Sequence, residues 1–444
     1  MGSVAVVGGG ITGLSCAWFL KERGHDVVVY EASDRLGGKL LTGSIGGVAV
    51  ELGADSFLPR DELPLDLCRA VGLGDEVISP AVFGAYIWHG GALRKLPAGF
   101  SYGIPVRPWA AWRAGLLSFG GALRAHAEVT HNRRLRESRV AAAPTIGRFV
   151  ARRFGREVLA NLVDPLLAGT RAGRPEEISL EVGAPEIHRI ATTKGSVIRG
   201  LRETQREIGA GSPHFVSLRG GLSRLVDALA ASLPDVRTNS PVESLPEADA
   251  VVLTTPAWET ARLLAEEAPI ASELLAPIGY ESSATVTLLY PPHTFSFPPD
   301  GSGVLIPSKA GLTLTAATWY SHKWPHARPA DGSQIVRCFV GGRGREVPDD
   351  NANASEAAAR DLALVMGIDA SPSEAHVTRW ERGLPVFRLG HEELMSGVRE
   401  DLARAAPRIA VAGAYLTGSG IPECIAQAKR ATDQIDSFFS GRPA

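Results

Sequence analysis

Cysteine is scarce in this chain, with four among 444 residues, at positions 16, 68, 338 and 424. They form no CxxC pair and stand far apart, which excludes a disulfide framework or a zinc site and makes a reducing cytoplasm the expected compartment. Charge of one sign is lacking too. The 46 basic and 48 acidic residues leave a formal net charge of −2, too balanced for general nucleic-acid binding. No apolar run reaches the roughly 18 to 20 residues of a membrane-crossing helix. The first twenty residues are apolar but carry no basic leader, and Gly8-Gly9-Gly10 interrupts them, so no signal peptide is expected. Neither a Ser/His/Asp nor a Cys/His arrangement is evident, and no metal-ligand cluster is expected. His214, His322 and His391 read as packing or surface residues.

What is present is a chain of several folding units. Its length is about three times a common domain size. Hydrophobic residues at 45% and charged residues at 21% provide for a buried core.

The N-terminus reads as strand, turn, helix, strand. Val4–Val7 is a β-branched run, Gly8-Gly-Gly10-Ile11-Thr12-Gly13 is a glycine turn, and Leu14–Arg23 has helical apolar spacing. Asp26–Tyr30 is the next strand, ending at Glu31. In such a unit Gly8 permits the tight turn, Gly10 lets the backbone approach a pyrophosphate, and Gly13 lets helix and strand pack closely. The helix N-terminus attracts the phosphate charge. Glu31 accepts from ribose hydroxyls and repels a 2′-phosphate, which argues against NADP.

Further turns follow later strands. Glu51-Leu-Gly53-Ala54-Asp55-Ser56 is one, and Ala250–Leu253 runs into Thr255-Pro256 at the strand end where α/β folds place ligands. Ile409–Val411 leads to Gly413-Ala414, and Gly420-Ile421 opens a terminal helix whose N-terminus suits negative charge.

The run Ala32-Ser-Asp-Arg35-Leu-Gly-Gly38-Lys39 resembles the second half of the dinucleotide signature in FAD-dependent amine oxidases. With Phe149–Glu157, Asp164–Gly169, Ser321–Pro325, Phe339–Gly342 and Arg379-Trp380 through His391, in that order, the chain from residue 4 to about 436 resembles the oxygen-dependent porphyrinogen oxidases. That family comprises protoporphyrinogen IX oxidase and bacterial coproporphyrinogen III oxidase. The resemblance implies non-covalent FAD held by Gly8, Gly10, Ile11, Thr12, Gly13, Glu31, Ala32, Arg35, Gly38 and Lys39. It adds Gly53, Ala54, Asp55, Ser56 and Trp380 near the ring, Val242 at the adenine, and Thr255, Pro256, Gly413, Ala414, Gly420 and Ile421. Cys424 lies in a setting unlike that of covalently flavinylated oxidases and is expected to be a buried thiol.

The implied reaction is six-electron oxidation of a porphyrinogen in haem biosynthesis, with O2 as acceptor and H2O2 as product. Hydride passes to flavin N5, so no protein acid or base is assigned. The expected substrate residues are Arg60, Gly169, Thr170, Arg171 and Phe387, with Arg174 a weaker candidate for a propionate. The chain departs from the family at Arg171 and Arg174, at Asp61 after Arg60, and at Val386-Phe387. These positions leave the choice between coproporphyrinogen and protoporphyrinogen open. An amine oxidase or desaturase on the same scaffold, in which Lys323 and Trp380 would serve, is the alternative. A flavin-bound or haem-delivering interaction protein is the non-catalytic one.

Between Ser101 and Glu157 eleven arginines face three glutamates, an excess of eight, with Trp109, Trp112, Leu116, Leu117 and Phe119 interleaved. A solvated helical insertion and an amphipathic surface on anionic lipid both account for this mixture. The partner expectations are a tetrapyrrole and O2, no nucleic acid, peripheral contact at the inner face of the membrane, a homodimer, and hand-over to a ferrochelatase. The expected fold is α/β and α+β. A discontinuous Rossmann-type FAD-binding domain takes 1–80, 215–280 and 405–444; a mixed-sheet substrate domain takes 81–97, 190–214 and 281–404; a helical insertion takes 98–189.

Overall fold

The computed structural model describes residues 2–59, 61–130, 144–168, 173–208, 215–298, 300–342 and 344–441. Five parallel strands form the first sheet, in the order Asp235–Arg237, Asp26–Tyr30, Ser3–Val7, Ala250–Leu253, Ile409–Val411. Its strands are apolar on both faces because both faces are covered. Val4 and Val6 pack with Cys16, Ala17 and Leu20 of the first helix (Ile11–Glu22) and with Ala428, Ala431 and Ile435 of the terminal helix (Ile421–Ser440). Ala5 and Val7 point the other way, into a core shared with the helices Ala257–Leu264, Pro269–Leu275 and His391–Ala405.

The second sheet has seven strands in the order Glu374–Pro385, Tyr280–Tyr290, Gln334–Gly341, Leu314–Thr318, Gly303–Leu305, Tyr86–His89, Ala92–Lys95. It is mixed: Gly303–Leu305 pairs in parallel with Tyr86–His89 and the other pairings are antiparallel. Period-two alternation divides its faces. Val336, Cys338 and Val340 pack with Ala354, Ala358 and Leu362 of the helix Asn351–Met366, which Asp350 caps by accepting from Asn353 N at 2.7 Å. Ile335 faces the opposite way, toward Val50, Leu52 and Trp324 beside the first sheet's lobe. Arg337 and Phe339 alternate onto that same face.

A helical layer covers the end of this arrangement. Phe149, Phe154, Leu162, Ile187, Ile190, Val197, Ile198 and Leu201 share one apolar core. Ile190 at the end of the helix Pro185–Thr193 and Val197, Ile198 and Leu201 of the next helix, Val197–Ile208, all contribute to this core. Within this layer Glu128 has no exposed surface. It accepts from Arg153 Nε at 2.9 Å, from Ser196 Oγ at 2.8 Å, and from the amides of Val197 and Ile198 at 2.7 and 3.1 Å, capping the helix Val197–Ile208. Arg153 is therefore a buried-pair partner and not part of a free basic surface. Arg133, Arg134, Arg136 and Arg139 lie outside the described residues. Among the described residues, no helix is long and apolar enough to cross a membrane.

Candidate flavin site

The glycine turn sits where the first strand ends and the first helix begins. Gly8 has φ +111°. A Cβ on Gly13 would lie 1.8 Å from Gly8 O, so close packing of helix on strand requires that glycine. Gly10 differs. A Cβ there meets nothing within 4 Å, so the backbone faces open space. Thr254, which the sequence reading passed over, ties the turn to the neighbouring strand by donating from Oγ1 to Val7 O and Gly8 O, both at 2.9 Å.

Glu31 stands at the tip of the second strand. Its Oε2 accepts from Gly9 N at 2.7 Å, and Oε1 accepts from Ser33 N and Oγ at 2.9 and 2.7 Å. The carboxylate is thus held at the mouth of the turn with lone pairs to spare. Ser240 N donates to Glu31 O at 2.9 Å, which brings the half-buried Val242 to the same end of the sheet. Ala32 is exposed just beyond the tip. Arg35 is turned onto its own loop, donating to Gly38 O at 2.8 Å and Leu36 O at 3.3 Å.

A chain of close approaches leads from this cradle to the second sheet. Gly37 bridges to Gly10, and a Gly38 Cβ would stand 3.4 Å from Gly10 Cα. A Gly53 Cβ would strike Lys39 O at 1.9 Å, and Ala54 N donates to Lys39 O at 3.3 Å. The Lys39 side chain is exposed, and desolvation by its surroundings lowers its pKa. Trp380 Nε1 donates to Leu52 O at 3.3 Å, which lays its indole along the Gly53 turn. Thr255 and Pro256 begin the helix Ala257–Leu264 at the carboxyl end of the fourth-ranked strand, with Thr255 Oγ1 2.8 Å from Thr260 Oγ1. Gly413 and Ala414 follow the fifth, and Gly420 precedes the terminal helix at Ile421. Many of the expected cofactor residues lie at the carboxyl ends of the parallel strands and at the N-termini of three helices, beginning at Ile11, Ala257 and Ile421, while Trp380 comes from the mixed sheet.

The Gly53 turn carries a buried ion cluster. Lys323 Nζ lies 2.8 Å and Arg337 3.6 Å from Asp55, and Arg337 also donates to Gly53 O at 2.6 Å. Burial alone would raise the Asp55 pKa, but Lys323 and Arg337 hold it well below the usual carboxylate range. Arg337 is fully buried, flanked by the rings of Tyr320 and Phe339 at 5.5 and 5.3 Å, and its Nε and one terminal nitrogen have no hydrogen-bond partner among the described residues. Glu51, also buried, has its carboxyl pushed up to about 7 by desolvation, against the opposing pull of Leu222 N, Arg337 and Thr42. Arg337 escaped the sequence reading, although an arginine inside Ile335-Val-Arg-Cys-Phe-Val340 was its signal.

The substrate assignments fare differently. Arg60, Gly169, Thr170 and Arg171 lie outside the described residues. Arg174 packs its guanidinium beside Gly344. Phe387, expected at the substrate, is 1% exposed, with its ring edge-on to His391 at 5.0 Å. It lies two residues past the end of the strand Glu374–Pro385, where the amide of Ser179 donates to Phe387 O at 2.8 Å. His391 is a packing residue, bonded to Tyr415 O at 2.8 Å. All four cysteines are buried and unpaired, and burial raises the pKa of the Cys424 thiol.

Open space at Gly10 and a carboxylate at the strand tip fit the pyrophosphate and ribose of an extended dinucleotide. The chain belongs to the flavin containing amine oxidoreductase family, whose model matches residues 11–436, and its cofactor is FAD. Within that class it is 31% identical to coproporphyrinogen III oxidase of Bacillus subtilis (strain 168), over 98% of each chain. It is 34% identical to the enzyme of that name from Mycobacterium tuberculosis (strain ATCC 25618 / H37Rv), over 98% of this chain and 97% of that one. A solved structure titled "Putative protoporphyrinogen oxidase" from Exiguobacterium sp. 255-15 superposes with a TM-score of 0.84 at 28% identity, over 98% of both chains. Reduced UDP-galactopyranose mutase, at 16% identity and a TM-score of 0.73 over 100% of this chain and 97% of that one, shows the fold alone.

Proposed function

We propose that this protein oxidises a porphyrinogen to the porphyrin, with coproporphyrinogen III as first choice of substrate, O2 as acceptor and H2O2 as product. The observation that carries this is full-length likeness, at 31% and 34% identity, to enzymes named coproporphyrinogen III oxidase, against 25% for protoporphyrinogen oxidase 2 of Arabidopsis thaliana. Removal of six electrons consumes three O2 and yields three H2O2. Bound FAD supplies the two-electron acceptor in each cycle. The chain's own part is placement and exclusion of water. The amides around Gly10 take the diphosphate, Glu31 takes the ribose, and the Gly53–Ser56 turn, clamped by Lys323 and Arg337, forms one wall at the ring. A methylene bridge between electron-rich pyrroles tolerates the positive charge left by hydride loss, so a strong protein base is not needed. Arg60 and Arg171 are the proposed partners of substrate carboxylates, by the bidentate fork of guanidinium on carboxylate.

Peripheral membrane contact belongs to the same proposal. Trp112, Phe119 and Leu123 are exposed and Trp109 sits 5.6 Å from Phe119, an aromatic ridge flanked by Arg107, Arg113 and Arg124. Aromatic and basic side chains together suit an anionic lipid interface.

The test is anaerobic mixing of the FAD-loaded protein with coproporphyrinogen III, protoporphyrinogen IX or a primary amine. Bleaching by coproporphyrinogen III, followed by peroxide on admission of air, is the expected result. Bleaching by the amine alone would replace this function with amine oxidation.

A further inference from the structure

A pocket of about 530 Å³, open to solvent, lies between the mixed sheet and the helical layer, bounded by His89, Leu117, Arg156, Glu157, Asn161 and Lys309 among others. It is remote from the flavin cradle. His89 ends the sixth strand of the sheet, five places from the strand that carries Trp380. At about 4.8 Å per strand the two are separated by on the order of 24 Å.

Its charged side chains are mainly cationic. Lys309 and Arg156 line it, and the Arg94 guanidinium stands behind Gly115, 3.4 Å from where a Cβ would be. Glu157 is the one carboxylate among the described lining residues, and its oxygens already accept from Ser118 N at 2.9 Å and Ser118 Oγ at 2.7 Å. Asn161 accepts from Lys309 Nζ and donates to Leu116 O at 2.8 Å, which fixes both on the wall. Asn161 belongs to a single π-turn, Leu159–Val163, a local irregularity that concentrates at functional sites. His89 Nδ1 is buried without a hydrogen-bond partner among the described residues.

We propose that this cavity binds a small oxyanion-bearing ligand, a carboxylate or a phosphate ester, at a site separate from the flavin centre. Lys309 and Arg156 supply charge-assisted hydrogen bonds, and Arg94 adds longer-range attraction. Burial, then the charges of Lys309 and Arg94, hold the His89 imidazole below its ordinary pKa, with Glu157 opposing. An anion offsets those cations, so binding draws a proton onto His89.

Calorimetric titration of the FAD-loaded protein at pH 7.5 with sulfate, standing for a phosphate ester, and with succinate tests this. One saturable site for either probe is expected, and the probe that binds identifies the chemistry. Lys309→Gln and Arg156→Gln should each weaken binding about 10-fold with an unaltered flavin spectrum, and His89→Gln should abolish proton uptake on sulfate binding. Absence of saturation by both probes, or undiminished affinity in the folded variants, overturns the proposal. If a variant loses its flavin spectrum, the His89 side-chain resonance of the unsubstituted protein decides: movement on saturation with sulfate or succinate supports the site, and a fixed resonance with both rejects it.

Discussion

Lys323 Nζ stands 2.8 Å from Asp55 Oδ2, so a residue packed on the mixed sheet holds the turn of the dinucleotide-binding lobe. The two lobes are joined at the flavin turn by charge, in a place where Asp55 also sits 3.6 Å from the fully buried Arg337.

Asp55→Asn would leave two cations without their counter-charge. Breaking a buried pair costs about 3 to 5 kcal/mol, and the lower end is expected here because Asp55 keeps 18% of its side-chain surface. Urea unfolding of the FAD-loaded variant measures it. Because the folded pKa of Asp55 lies below its unfolded value, its contribution is present above the unfolded pKa and is lost as pH falls through the folded one.

Glu51 has the opposite sign. Burial lifts its carboxyl from 4.5 to about 7, so between those values the unfolded chain sheds a proton that the folded protein keeps. Stability therefore falls as pH rises through that window, by up to about 3 kcal/mol. Glu51→Gln should flatten this segment of the pH–stability curve, and an unchanged slope would remove Glu51 as its source.

Glu128→Gln should destabilise the protein by about 3 kcal/mol by stranding the Arg153 guanidinium and weakening a helix cap. The flavin spectrum should stay constant, since Glu128 touches only the helical layer.

Replacing Trp112 and Phe119 together by Ser should reduce co-sedimentation with vesicles of anionic lipid several-fold, and Arg113→Ala should make the residual binding less salt-sensitive. Equal binding by the substituted protein would confine the ridge to a solvent-facing role.

The cradle was legible in the sequence because glycine spacing and a strand-tip acid report local backbone geometry; Gly8, Gly13 and Glu31 follow from short-range rules. Other features depend on contacts hundreds of positions apart. Arg337 meets Gly53 only because two sheets face each other, and Glu128 meets Arg153 and Val197 only through helix packing, so a count of arginines overstated the free basic surface. The burial of Phe387 against His391 and under the Ser179 amide is likewise a matter of contacts made in the fold.

Gly10→Val tests the flavin cradle most directly, because its side chain enters space that no described protein atom fills. The variant should retain the circular dichroism and apolar core of the native fold yet purify without flavin absorbance and fail to take up added FAD. A folded Gly10→Val protein that purifies yellow would contradict the assignment.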